Sequence, residues 1–237
     1  MVDLPLAPAR LPPGLRVYAV GDVHGCLDRL VALHWAVTKD IASHPVAESV
    51  LIHLGDYVDR GPDSAGVISL LIGTVAPKVT RRVNLGGNHE AMMLGALAGD
   101  QQLAESWVEN GGGATLQSYR VPPDARQAAW SGSVPSAHLR WLVDRPLLHR
   151  EGGYLFVHAG IRPGCPIDSQ NPDDLRWIRE PFLSSTEPHP LVVVHGHTPT
   201  ATPTIRPNRI GIDTGAAFGG VLTCLVLEQD RMRFLTA

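Results

Sequence analysis

Residues 17–25 read Val-Tyr-Ala-Val-Gly-Asp-Val-His-Gly. Four apolar residues run straight into a glycine-bracketed loop that carries Asp22 and His24. A helical pattern follows between Cys26 and Lys39, where Leu27, Leu30, Val31 and Val37 recur at the spacing of one helix face. Strand, polar loop and helix make up the repeating unit of an α/β domain, in which ligands sit at the carboxyl ends of the strands. The unit recurs. Val50–Leu54 leads into Gly55-Asp56-Tyr57-Val58-Asp59-Arg60-Gly61, and Asp63 or Ser64 is placed to cap a helix continuing to about Gly73. Arg82–Leu85 leads into Gly86-Gly87-Asn88-His89-Glu90, and Ala91–Ala98 reads as helix.

Residues 100–150 break the pattern. They hold Trp107, Trp130, Trp141, a Gly111-Gly112-Gly113 turn and Pro122-Pro123, and read as a mostly helical, cap-like insert whose clearest helix is Ala137–Val143. Strands then return. Tyr154–Val157 leads to His158-Ala159-Gly160, and Leu191–Val194 leads to His195-Gly196-His197-Thr198. Val221–Leu227 and Met232–Leu235 read as a closing hairpin around Gln229-Asp230. Residues 1–14, with Pro5, Pro8, Pro12 and Pro13, form an extended arm, and residues 15–237 read as one domain.

Composition excludes several functions. A chain of 237 residues, 44% hydrophobic and 18% charged, has material for a large core and is neither disordered nor fibrous. No apolar run approaches the roughly 20 residues of a membrane span, and the arm lacks the apolar centre of a signal peptide. Twenty basic against 23 acidic residues leave −3, which offers no footprint for nucleic acid. Without interleaved basic residues, the three tryptophans read as the insert's own core rather than a base-stacking platform. Cys26, Cys165 and Cys224 are too few for a disulfide framework, so a reducing cytoplasm is the simplest compartment.

Five strand ends each finish in metal-competent residues: Asp22 and His24, Asp56 and Asp59, Asn88 and His89, His158, and His195 with His197. A lone His or Asp at a strand end is usually a cap or a satisfied polar group. Five strand ends of the same kind are not explained that way. The donors are imidazole nitrogen and carboxylate or amide oxygen without thiolate, a set suited to Mn, Fe or Zn rather than to a structural zinc–cysteine site. Two carboxylates, one amide and three imidazoles exceed one tetrahedral ion and suit two ions sharing a bridge.

The motifs Gly21–Gly25, Gly55–Ser64, Gly86–Glu90, His158–Gly160 and His195–Thr198, in this order, resemble the phosphoprotein phosphatase branch of the calcineurin-like metallophosphoesterases, closest to the small bacterial and phage-type Ser/Thr protein phosphatases. The resemblance spans about residues 15–235. It implies a four-layered α/β/β/α sandwich of two mixed sheets, with helices outside and a dimetal site at one edge. It implies that Asp22 and His24 bind a first metal, that Asp56 bridges, and that Asn88, His158 and His197 bind a second, leaving His195 as a packing residue. Asp59 and His89 match the acid dyad. Arg60 matches a phosphate-binding arginine, and Arg179, after Trp177, matches a second, with Arg176 as its competitor. Asn88 also falls on the phosphate-binding side. The implied cofactor is a pair of divalent ions, manganese first, with iron, zinc, nickel or magnesium as alternatives. The implied activity is hydrolysis of phosphoserine and phosphothreonine on proteins. The rival substrate is diadenosine tetraphosphate or another small phosphoester on the same fold.

The chemistry agrees with these roles. Two divalent ions bring +4 against −2 from Asp22 and Asp56, which favours a phosphate dianion. They also lower the pKa of a bridging water, giving a hydroxide for direct in-line attack. Paired arginines bind phosphate oxygens bidentately. An alkoxide leaves poorly, so a general acid contributes about 10²–10⁴-fold, and His89 kept charged by Asp59 fits that need. Other phosphate chemistries are missing from the sequence. There is no phosphate-binding P-loop, no serine elbow, and no cysteine followed six positions later by arginine, those positions being Ala32, Asn171 and Asp230. Cys26, beside the first metal loop at a helix start, reads as a small buried side chain ahead of a redox-sensitive thiolate. Glu90 is placed to orient His89 or Asn88, or merely to begin the helix. His34, His44, His53, His138, His149 and His189 read as surface or packing residues.

Overall fold

The computed structural model describes residues 5–73 and 77–237. Its strands run β1 (Leu15–Val20), β2 (Glu48–His53), β3 (Arg81–Asn84), β4 (Leu148–Glu151), β5 (Tyr154–Val157), β6 (Val192–His195), β7 (Thr204–Ile205), β8 (Arg209–Gly211), β9 (Thr223–Glu228) and β10 (Arg231–Thr236). Its helices are α1 (Leu27–Ser43), α2 (Ser64–Ile72), α3 (Asn88–Leu97), α4 (Gln101–Trp107), α5 (Gly113–Ser118), α6 (Ser136–Val143) and α7 (Pro172–Trp177). The strands form two five-stranded mixed sheets, in the orders β10-β9-β1-β2-β3 and β4-β5-β6-β8-β7. In the first, β1 lies parallel to β2 with Val17 beside Val50, β2 is parallel to β3, and β9 and β10 run antiparallel. In the second, β5, β6 and β8 are parallel and β4 and β7 are antiparallel edges.

Alternation along each strand assigns the layers, because successive side chains point to opposite faces. Val17, Ala19, Val50 and Ile52 face inward against Tyr154, Phe156, Val194 and Ile210 of the second sheet. Tyr18, Val20 and Leu51 face outward onto Leu30, Leu33 and Val37 of α1 and onto Val67 and Ile68 of α2. Both faces of the strand are covered, which is why β1 reads as an unbroken apolar run. On the far side, Leu155, Val157 and Val193 meet Leu175 of α7 with Ile178 and Phe182. The two outer layers are unequal. Helices α1 to α6 crowd the first sheet, and among the described residues α7 is the one α-helix over the second.

Helix ends follow the sequence signals. Asp63 caps α2, accepting the Gly66 N–H at 2.7 Å. Helix α1 begins after Cys26 without a side-chain cap. The described part of the arm runs past both sheets: Leu6 bridges Arg231 of β10, and the Arg10 carbonyl accepts the Gly153 N–H beside β5.

Candidate active site

The loops after β1, β2, β3, β5 and β6 converge at one end of the sandwich, and Asp56 stands at their centre. Its Oδ2 lies 3.5 Å from His24 Nε2 and 3.9 Å from His89 Nε2, and its Oδ1 lies 3.4 Å from His158 Nε2. His24, Asp56 and His89 offer donor atoms within 4.8 Å of one another, and so do Asp56, His158 and His197. One carboxylate shared by two donor groups is the arrangement of two cations with a common bridge. Asn88 joins the second group, its Oδ1 lying 2.9 Å from His158 Nε2 and 3.0 Å from His197 Nδ1. Asp22 is buried beside these residues but stands outside both tight groups, its carboxylate accepting the His197 N–H at 3.0 and 3.2 Å.

The backbone aims the rings. His158 Nδ1 faces the Leu54 carbonyl at 3.0 Å and His24 Nδ1 faces the Val58 carbonyl at 2.8 Å. A carbonyl only accepts, so each Nδ1 carries a proton; on His24 the Nε2 keeps a lone pair toward Asp56, whereas on His158 the Nε2 carries a second proton facing the Asp56 and Asn88 oxygens. The loops that do this are bent sharply. His24, Asp56, Asp59, Arg60 and His197 all hold positive φ, between 43° and 75°. Two glycines make room: a Cβ at Gly87 would collide with the Asp56 carboxylate, and one at Gly196 with that of Asp22.

Burial lowers His24 and His197 to about 3, so both rings are neutral and able to ligate. Burial also pulls His158 down, but the facing Asp56 carboxylate outweighs it and holds this ring up at about 10. Burial pushes Asp22 well above the carboxylate range, helped by the neighbouring charge of Asp213. Burial raises Asp56 too, yet His158 and His89 overcome it and hold that group well below the range. The pocket is therefore short of positive charge, and a proton on His158 supplies part of it. Divalent cations fit this donor set: nitrogen and oxygen atoms converge, thiolates are absent, and a cation would replace the His158 proton.

His89 is held from behind. Its Nδ1 lies 2.6 Å from Asp59 Oδ2, and its Nε2 faces Asp56. Burial lowers His89, but Asp56 and Asp59 reverse the direction and raise it. Glu90 serves the loop rather than its neighbours. Its carboxylate accepts the backbone N–H groups of Gly87, Asp56, Tyr57 and Val58 at 2.9, 2.9, 2.7 and 3.3 Å. The Arg60 guanidinium lies 2.5 Å from His24 Nε2 and over the exposed ring of Phe218, 5.0 Å from its centroid. Arg179 is exposed and close enough for its charge to help lower His197. The Trp177 and His197 rings meet edge to face, their centroids 6.2 Å apart.

Trp107, Thr115 and Asp213 lie beside the site although the sequence reading did not place them there, and other side chains show where they pack. Trp107 is part of the insert's core, but its indole N–H also reaches Asp59, as does the Thr115 hydroxyl. Nothing in a sequence links positions 107 and 115 to 59. Asp213, buried near Asp22, was legible: Ile210-Gly211-Ile212-Asp213-Thr214-Gly215 follows the same pattern of apolar run, acid and glycine. Cys26 is buried and burial raises its thiol, so the thiolate is disfavoured. His195 packs against the edge of Phe182, and its Nδ1 faces the Gly196 carbonyl at 3.0 Å. His34 and His53 are buried together, Nε2 to Nε2 at 2.9 Å.

Two mixed sheets under helices, with five strand-end loops gathering Asp, His and Asn about a shared carboxylate, define a metallophosphoesterase. Residues 15–220 match the calcineurin-like phosphoesterases, and the chain belongs to that family. It is a metal-dependent phosphoester hydrolase. Serine/threonine-protein phosphatase 1 of Salmonella typhimurium is 30% identical over 87% of this chain and 89% of its own. An asymmetrical bis(5'-nucleosyl)-tetraphosphatase of Geobacillus thermodenitrificans is 28% identical over 89% and 90%. Among solved structures, a candidate diadenosine tetraphosphatase superposes with a TM-score of 0.68 at 25% identity, covering 97% of this chain and 98% of that one.

Proposed function

We propose that this protein removes phosphate from phosphoserine and phosphothreonine on proteins. In this reading Asp22, His24 and Asp56 hold one divalent ion, and Asp56, Asn88, His158 and His197 hold the other, manganese being the first choice. When bound, such ions supply the charge that draws a phosphate dianion and make water a nucleophile near neutral pH. Arg60 and Arg179 orient the phosphate oxygens, with Asn88 beside them. Phe218 supports Arg60 from below. As the ester P–O bond breaks, His89 gives its Nε2 proton to the departing alkoxide oxygen, and Asp59 stabilises the charged ring. A chain with three free cysteines suits a reducing cytoplasm.

The observation that carries this reading is the built proton donor: His89 fixed at 2.6 Å from a fully buried Asp59. An alkoxide leaves only with a proton. A phosphoanhydride releases a phosphate that departs without one. A hydrolase specialised for dinucleoside polyphosphates therefore has less need of so firmly held an acid.

Two observations favour the dinucleotide as a second reading. The tetraphosphatase relatives match this chain as fully as the protein phosphatase does. Two exposed aromatic rings, Trp177 at 43% and Phe218 at 63%, flank the site and offer faces for a base. Metal-stripped protein given back Mn²⁺ would be assayed side by side on phosphoserine, phosphothreonine and phosphotyrosine peptides and on diadenosine tetraphosphate. Higher kcat/KM on the phosphoserine and phosphothreonine peptides supports the proposal, and preference for the dinucleotide replaces it.

A further inference from the structure

We propose that Trp107 and Thr115, contributed by the helices after α3, are positioning residues for the proton donor. The proposal rests on His89 and Asp59 being the acid dyad. Asp59 is inaccessible to solvent, so its carboxylate depends wholly on protein donors. Trp107 Nε1 lies 2.9 and 2.8 Å from its two oxygens, and the Thr115 hydroxyl lies 2.6 Å from Oδ1. His89 Nδ1 takes Oδ2.

The proton count closes. Thr115 has one hydroxyl proton, which goes to Asp59 Oδ1. Its oxygen is left to accept the Asp59 N–H at 2.8 Å and the Ser64 hydroxyl at 2.9 Å. Thr115 therefore fixes both the side chain and the backbone of a residue whose φ of 75° is unfavourable for aspartate. Trp107 ends α4 and Thr115 lies in α5. Between them Gly111 accepts the Arg60 N–H at 3.2 Å. One segment thus holds both the carboxylate behind the acid and the backbone of the arginine placed at the phosphate. If Trp107 or Thr115 lets the Asp59 carboxylate turn, the His89 Nε2–H moves off the line to the leaving oxygen.

The test compares Trp107→Phe, Thr115→Val, Thr115→Ser and Asp59→Asn on a series of phosphomonoesters, from p-nitrophenyl phosphate through phenyl phosphate to an alkyl phosphate. These probes leave open whether the natural substrate is a phosphoprotein or a dinucleotide. Each variant's metal content is measured alongside. Loss of one hydrogen bond to a charged group corresponds to roughly tenfold or more in rate. Thr115→Val and Trp107→Phe should keep p-nitrophenyl phosphate turnover within about threefold of the parent and lose about tenfold or more on the alkyl ester, with metal content unchanged. Thr115→Ser should restore the alkyl activity. A loss equal across all leaving groups, or no loss, overturns the proposal. A graded loss for Asp59→Asn with flat responses for the other two removes the positioning role alone. A flat response for Asp59→Asn removes the acid dyad and the proposal with it. If Trp107→Phe does not fold, Thr115→Val, which keeps the shape of the side chain, decides the matter.

Discussion

Glu90→Gln exchanges one atom of a buried side chain and should be among the most disruptive single substitutions in the protein. Glu90 Oε1 accepts the Tyr57 and Val58 N–H groups, and Oε2 accepts those of Gly87 and Asp56. Glutamine keeps one oxygen and turns the other into an NH₂ facing two donors. At least two bonds to a charged group are lost, each about 1.5–3 kcal/mol, and the orphaned N–H groups stay buried. Part of this is offset, because burial and the nearby charge of Asp56 raise Glu90 to about 7 and make its ionised form costly. A net loss of about 3 kcal/mol is expected, from a total that is typically about 5–15. Urea unfolding of the metal-free protein at pH 8, where Glu90 is ionised, would measure it. For a chain of this size the melting point should fall by about 6–12 °C. Metal affinity should fall as well, because the same loop delivers Asp56. A change below about 1 kcal/mol, with metal affinity intact, would refute the claim that this carboxylate holds the loop.

Other predictions follow from the site's charge balance and contacts. In the metal-free protein His158 keeps its proton up to about pH 10, whereas His24 and His197 lose theirs above about 3. Loading at pH 8 should release at least one proton per chain, and apparent affinity should rise about tenfold per pH unit from 7 to 9; calorimetry in buffers of different ionisation heat detects this, and a pH-independent affinity contradicts it. The same raised value stabilises the metal-free fold below pH 6.5, a contribution lost as pH rises through 10, so its urea midpoint should fall across that range. Asp56→Asn should lose both ions together by elemental analysis, because both donor groups use this carboxylate; retention of one full equivalent would count against a bridge. Phe218→Ala should leave stability unchanged and raise KM about two- to fivefold through a less ordered Arg60, read from steady-state kinetics; an unchanged KM would show that the ring does not support the guanidinium.

Much of the architecture was legible because each central strand is apolar throughout and ends in a glycine-bracketed polar cluster. Val17–Val20 and Tyr154–Val157 announce themselves in this way. Strand β4, Leu-His-Arg-Glu, does not, since an edge strand buried on neither face carries no apolar run. Strands β7 and β8 are two and three residues long, too short for any periodicity to register. Within the site, the residues at the strand ends could be found from the chain because topology alone brings those ends together. Trp107 and Thr115 could not. Their place beside Asp59 depends on how α4 and α5 fold back over α2 and α3, which is decided by packing across some 50 residues of intervening chain. Glu90 was legible as a residue that matters but not as the acceptor for four backbone groups, because backbone direction is invisible until the loop is built.

The left-handed backbone at His24, Asp56, Asp59, Arg60 and His197 has a consequence for anyone who would evolve this protein. Each conformation costs of order 1 kcal/mol and would be relieved by glycine, or in part by asparagine. A library screened for heat tolerance alone should therefore enrich glycine and asparagine at His24, Arg60 and His197, whereas at Asp56 and Asp59 the buried donors left without a partner outweigh the backbone relief. A screen that demands turnover should hold those three against that drift. The map of where the two screens disagree would outline the working surface without a ligand ever being bound.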